Sequence, residues 1–83
     1  MDEVMIEKRA APRHRVLKHG MIAFEGGGVD CTVRNISATG ARIDVDNPVG
    51  LPAKFLLVIE ADQFLRRSRT VWSSDRKLGV AFD

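Results

Sequence analysis

The apolar and polar positions of this chain follow the period of a strand far more often than that of a helix. From Val16 to Phe24 the run is apolar and irregular, and it stops at Glu25-Gly26-Gly27-Gly28, a glycine-rich stretch that predicts a hairpin loop. Val29-Asp30-Cys31-Thr32-Val33-Arg34 alternates apolar and polar residues, as a half-buried strand does. The alternation breaks at Asn35-Ile36-Ser37-Ala38-Thr39-Gly40 and resumes over Ala41-Arg42-Ile43-Asp44-Val45-Asp46. Pro48, Gly50 and Pro52 mark the next loop. Phe55-Leu56-Leu57-Val58-Ile59 is continuously apolar, which predicts a strand buried on both faces. After a turn at Glu60–Gln63, the segment Phe64–Trp72 alternates in part. Arg67, Arg69 and Val71 oppose Phe64, Ser68, Thr70 and Trp72. A turn at Ser73–Arg76 leads to a last strand, with Leu78, Val80 and Phe82 on one face. Six short strands without a convincing amphipathic helix predict an all-β barrel or sandwich, with closure removing exposed edges.

The chain has 83 residues and a mass of 9.2 kDa, so it is one small domain with a thin core. A composition of 45% hydrophobic and 29% charged residues fits a globular chain and argues against a disordered one. No apolar stretch approaches the ~20 residues of a membrane-spanning helix. Met1 to Lys8 carries Asp2, Glu3 and Glu7 and does not read as an export signal, so a cytoplasmic location is expected. A single cysteine, Cys31, rules out an internal disulfide framework and gives no metal cluster.

Charge changes the picture through its distribution. Lys8, Arg9, Arg13, Arg15 and Lys18 form one cationic segment without an acid among them. Arg66, Arg67, Arg69, Arg76 and Lys77 form a second, interrupted by Asp75 alone. Solvated faces balanced by acids elsewhere are the ordinary reading. Two such concentrations also fit an anionic partner: a nucleotide, a nucleic acid or an acidic protein.

Catalytic chemistry finds little support. His14 and His19 have no Asp, Cys or Ser at a spacing that makes a triad or a metal site, and both are expected to be structural or exposed. Cys31 shares a strand face with Val29 and Val33 and reads as a buried apolar thiol. Asp44 and Asp46 alternate with Ile43 and Val45 and read as a solvated strand face. Gly26-Gly27-Gly28 lacks the spacing and the following helix of a phosphate-binding loop.

Binding chemistry is better represented. Arg9 and Arg13 are separated by Ala10-Ala11-Pro12, two long guanidinium groups held apart by small residues and a rigid proline. Arginine can donate two parallel bonds to guanine O6 and N7, stack on a purine face and clamp a phosphate. The second element is Asn35-x-Ser37-x-x-Gly40, at the break between two strands. If the backbone there is extended, the polar tips of Asn35 and Ser37 point to the same side. Gly40 supplies either a positive φ or room for close backbone approach.

These two elements, in this order and within a six-stranded domain, resemble the PilZ family of small β-barrels that bind cyclic di-GMP. The family pattern reads here as Arg9-Ala10-Ala11-Pro12-Arg13 followed by Asn35-Ile36-Ser37-Ala38-Thr39-Gly40, and Leu78-Gly79-Val80-Ala81-Phe82 resembles its closing strand. The resemblance spans residues 7 to 83 and implies a six-stranded antiparallel β-barrel over residues 15–83, with minimal helix. A flexible basic arm over residues 1–14 would precede it. It implies that Arg9 and Arg13 bind guanine edges and phosphates, that Asn35 and Ser37 contact the ligand from the barrel, and that Gly40 permits the turn. Lys8, just before the arginine pair, leans towards a stacked ligand pair, and Arg15 and Arg42 are further phosphate contacts by position. No catalysis, cofactor, membrane or nucleic-acid partner is implied. The effect would pass to a separate downstream protein, and a ligand-bridged homodimer is compatible with it. Many family members carry a helix after the barrel, whereas this sequence stops at Asp83. One barrel opening is then expected to be covered by a partner or a second copy, with Trp72 plugging the barrel or lying on an exposed docking face. Two alternatives remain. One is a nucleic-acid-binding small barrel using the same cations and its aromatics. The other is a PilZ-like adaptor that binds only protein.

Overall fold

The computed structural model describes residues 14–83; residues 1–13 of the expected arm, with Lys8, Arg9 and Arg13, lie outside the described residues, while His14, its expected last residue, opens the first strand. Six strands follow in chain order: β1 (His14–Phe24), β2 (Gly27–Ile36), β3 (Gly40–Asp44), β4 (Lys54–Ile59), β5 (Phe64–Ser74) and β6 (Lys77–Phe82). One 3-10 turn, Glu60–Asp62, joins β4 to β5. All neighbouring strands are antiparallel, and they close in the order β1-β2-β3-β6-β5-β4, with β4 returning to β1. The chain is therefore the expected six-stranded antiparallel barrel, and closure leaves no strand edge exposed along its full length.

The alternation read from the sequence becomes the inside and outside of the barrel. Ile22, Val33, Ile43, Leu57 and Ile59 are almost completely buried, and Cys31, Ala41, Val45, Phe55, Leu78 and Val80 complete the core. Cys31 lies inside as expected. Ser68 is the one buried polar side chain among the described residues, and its hydroxyl donates to the Arg66 carbonyl at 3.1 Å. That bond removes most of the cost of placing a hydroxyl in an apolar interior.

Several expectations shift. The apolar run in β4 is not buried on both faces: Phe55, Leu57 and Ile59 point inward, while Leu56 and Val58 lie half-buried on the outside. A continuous apolar run cannot reveal that one of its faces borders solvent. The glycine-rich loop is tighter than predicted, because Gly27 and Gly28 already pair with Phe24 and Ala23. Gly26 alone needs glycine for its φ of 95°. Likewise, β5 runs through Ser74 and turns only at Asp75-Arg76, with Asp75 left-handed at φ 59°. Asn35 and Ile36 belong to β2 rather than to a break, and β3 ends at Asp44.

Candidate functional site

Asn35 reaches the outer wall through a β-bulge. Val33 pairs with Ile43, but Asn35 pairs with Arg42, so Arg34 is an extra residue on β2. Strict alternation would have placed Asn35 on the core face beside Cys31 and Val33. The inserted residue turns Asn35 outward and lets Ile36 pack against the core. A second irregularity lies in β1 between Arg15 and Lys18, so that Arg15 pairs with Asn35 on the same face.

A third irregularity shapes the far side. In β5, Thr70 pairs with Val80, but Trp72 pairs with Gly79, leaving Val71 as the extra residue. Trp72 is thereby excluded from the interior and is 44% exposed. The expected plug is absent; the indole lies outside the barrel across β6. A Cβ on Gly79 would overlap the Trp72 indole near Nε1, so only glycine leaves the indole room there.

These registers produce one transverse row on the outer wall. Arg15 faces Asn35, Asn35 faces Arg42, Arg42 faces Gly79, and Gly79 faces Trp72. Four interstrand steps make the row roughly 19 Å long. Residues 15, 35 and 42 were expected at the site, and the register brings them together. Trp72 and Gly79 were not. Their available signal was the apolar pair Val71-Trp72, which breaks the alternation of a strand that must pair with glycine.

Two polar atoms in the row lack a matching bond. Asn35 Oδ1 and Arg42 Nε are removed from solvent without a hydrogen-bond partner among the described residues. Each such atom costs about 1–3 kcal/mol, so an acceptor and a donor in register neighbours form an unsatisfied pair. Asp44, one alternation step from Arg42, belongs to the same group, and its Oδ1 is likewise buried without a hydrogen-bond partner among the described residues. Its carboxylate lies 3.5 Å from Arg34 and 4.0 Å from Arg42. The sequence-based solvated aspartate is therefore half-buried between two arginines, whereas Asp46 is exposed.

Ser37 and Gly40 build the loop beside the row. The Ser37 hydroxyl accepts the backbone N–H groups of Thr39 and Gly40, both at 3.2 Å. The Ser37 N–H in turn donates to the Gly40 carbonyl at 2.8 Å, and the Phe82 N–H donates to the Thr39 carbonyl at 2.9 Å. The serine thus spends its hydroxyl on holding the turn. Gly40 serves close approach rather than a positive φ, since a Cβ there would collide with the Val80 carbonyl.

His19 is exposed on the outer wall, 3.4 Å from Asp30. Among the described residues no group of three or more His, Cys, Asp or Glu side chains could hold a metal ion. No helix among them is long and apolar enough to cross a membrane.

A transverse row of arginine, asparagine and tryptophan can hydrogen-bond a polar base edge, neutralise phosphate and stack a base on one wall. No curated protein matches the chain. Residues 7–83 match the PilZ domain, a span that includes Arg9 and Arg13 together with the whole barrel, and on that match the chain belongs to the PilZ domain family.

Proposed function

We propose that this domain is a non-catalytic receptor for cyclic di-GMP, the ligand that PilZ domains generally bind. The observation that carries the reading is the Arg15–Asn35–Arg42–Gly79–Trp72 row, with its unmatched Asn35 Oδ1 and Arg42 Nε. Arg42 and Arg15 supply positive charge for phosphates, and Trp72 supplies a flat face for a purine. The Asn35 amide turns out of the wall to meet a guanine edge, which gives its buried Oδ1 an N–H partner. Stacking of a base on an aromatic side chain contributes about 1–3 kcal/mol, and a hydrogen bond to a charged group about 1.5–3 kcal/mol. Arg9 and Arg13 close the site from the N-terminal side. Arg13 stands two residues before Arg15, so the second arginine of the motif is tethered to the end of the row.

In this reading the segment before β1 orders over the nucleotide and changes the surface offered to a separate protein. Ser37 and Gly40 act by shaping the loop next to Asn35. Titration calorimetry with cyclic di-GMP tests the reading, with saturable binding expected. Absence of heat, together with unmoved amide resonances for Asn35, Arg42 and Gly79, would remove it.

One observation favours a second reading. Trp72 lies on the outer wall in the same row as two arginines, the arrangement of a single-stranded nucleic-acid platform. Competition separates the two: an oligonucleotide that displaces cyclic di-GMP at physiological salt supports the platform, since screened contacts alone would not hold it.

A further inference from the structure

Asp44 is a carboxylate set among cations and hydrogen-bonded to none of them. It stands on the outer face of β3, one alternation step from Arg42, with Thr32 opposite on β2 and Lys77 opposite on β6. The two guanidinium groups beside it stand off, Arg34 at 3.5 Å and Arg42 at 4.0 Å. A charge-assisted N–H···O bond is about 2.7–2.9 Å long, so both contacts are ion pairs without a hydrogen bond. Oδ1 is out of solvent with no hydrogen-bond partner among the described residues, while the side chain as a whole is 30% exposed. A carboxylate accepts at about four lone-pair sites. The acceptor capacity of Asp44 is therefore left open, and it lies where Arg42 Nε leaves a donor open as well.

This pair borders the stacking face. The Trp72 indole crosses β6 over Gly79, and Gly79 pairs with Arg42 on β3. A purine laid on the indole thus has β3 along one edge, an interstrand spacing of about 4.8 Å from Gly79. Arg42 and Asp44 follow each other on that strand about 7 Å apart. Rotation of a carboxylate about its Cβ–Cγ bond is soft, so either oxygen can be presented. Together the two side chains offer a donor and then an acceptor. The Watson–Crick edge of guanine is the complement: O6 accepts, and N1–H and the 2-amino group donate side by side. Adenine reverses the order, since its 6-amino group donates and its N1 accepts. A carboxylate only accepts, so it can take both guanine donors and meets adenine N1 with a second acceptor.

We infer that Asp44 selects guanine over adenine, its carboxylate accepting from N1–H and the 2-amino group of the base stacked on Trp72. The inference rests on the cyclic di-GMP reading and deepens it. Arg42 has five N–H donors and meets O6 of that base while still facing a phosphate. Binding then satisfies Asp44 Oδ1 and Arg42 Nε together, and a base lacking those donors leaves the acceptor buried and unpaired. The same carboxylate repels a phosphate, so this stretch of the wall admits a base edge and not the backbone of the ligand.

The test is calorimetric titration with three ligands that differ only in their bases: cyclic di-GMP, cyclic di-IMP, which lacks the 2-amino groups, and cyclic di-AMP. Wild type is expected to bind cyclic di-GMP roughly tenfold or more tighter than cyclic di-IMP, the range for loss of a bond to a charged acceptor, and cyclic di-AMP more weakly still. Asp44→Ala is expected to weaken cyclic di-GMP and to bring cyclic di-IMP within about twofold of it. Asp44→Asn keeps the volume if the alanine variant does not fold. Its amide can turn an N–H towards adenine N1, so the gap between cyclic di-GMP and cyclic di-AMP is expected to narrow. An acid that merely separates Arg34, Arg42 and Lys77 would lower all three affinities by one factor, and that result overturns the inference. A gap between cyclic di-GMP and cyclic di-IMP that is absent in wild type, or undiminished in both variants, overturns it too. In wild type the Asp44 carboxyl-carbon resonance is expected to move on saturation with cyclic di-GMP, and a stationary resonance overturns the inference without any variant. Absence of cyclic di-GMP binding fails the receptor reading and this inference together, whereas binding with any of the preceding three results fails the inference alone.

Discussion

Trp72 lies where a side chain on Gly79 would otherwise be. The two residues face each other across β5 and β6, and the indole occupies the space of the missing Cβ. Trp72 is the only tryptophan of the chain, so its emission reports this contact without interference. Trp72→Ala is expected to weaken cyclic di-GMP binding by about 1–3 kcal/mol, the range for loss of one stacked base, and Trp72→Phe by less. Gly79→Ala is expected to displace the indole, red-shift its emission and weaken the nucleotide comparably, with circular dichroism still that of a barrel. Unaltered emission in Gly79→Ala would contradict the contact, and unaltered affinity in Trp72→Ala would remove stacking from the site.

Asn35 and Arg42 give a prediction of opposite sign for binding and for stability. Each holds a polar atom out of solvent without a partner among the described residues. Asn35→Ala is expected to weaken cyclic di-GMP binding by about 1–2 kcal/mol while leaving the ligand-free protein as stable as before, or more stable by up to ~1 kcal/mol. Thermal unfolding with and without ligand reads both quantities. Arg42→Ala and Asn35→Ala are expected to be non-additive for binding, since the residues are register neighbours facing one ligand. A loss of ligand-free stability equal to the loss of binding would mean that Asn35 serves the fold alone.

Arg13 is argued from chemistry and position. It precedes β1 by one residue and shares with Arg9 the chemistry of phosphate and guanine recognition. Arg13→Ala is expected to cost roughly 2–4 kcal/mol of binding, the loss of charge-assisted bonds, with the unfolding midpoint of the free protein unchanged. Calorimetric titration of both proteins checks it, and equal affinities would take Arg13 out of the site.

What the sequence conveyed and what it hid separate along one physical line. Alternation at Cys31/Val33, Ala41/Ile43 and Leu78/Val80 was legible because the inside of this small barrel is apolar apart from Ser68. Arg34 and Val71 were not legible as inserted residues. A bulge is defined by the count of residues on the partner strand, and a linear pattern carries no register. Each insertion reverses the face of the residues after it, which is why Asn35 and Trp72 stand on the outer wall and why the linear pattern left the tryptophan either inside or on an exposed face. The same limit applies to β4: Leu56 and Val58 look like core residues until their neighbours, Ala23 and Arg67, are known.

Cys31 supplies a prediction about the interior. Burial and, to a smaller extent, the charge of Asp30 raise its thiol pKa from 9.0 to about 11. The neutral thiol is therefore favoured in the folded chain relative to the unfolded one. Its contribution to stability is fully present below pH 9 and is lost as pH rises towards about 11, because the unfolded chain can ionise the thiol first. Stability should accordingly fall across that window in wild type and fall less in Cys31→Ala, although the alanine variant starts lower because it leaves a gap in the core. Denaturant unfolding at pH 8 and pH 10 measures the difference. Native protein should also resist a thiol-directed reagent at pH 8 and react fully once unfolded, since thiolate and access are both scarce in the barrel. Rapid labelling of the native chain at pH 8, or parallel pH dependences in the two proteins, would show that Cys31 reaches solvent and that the core opens there.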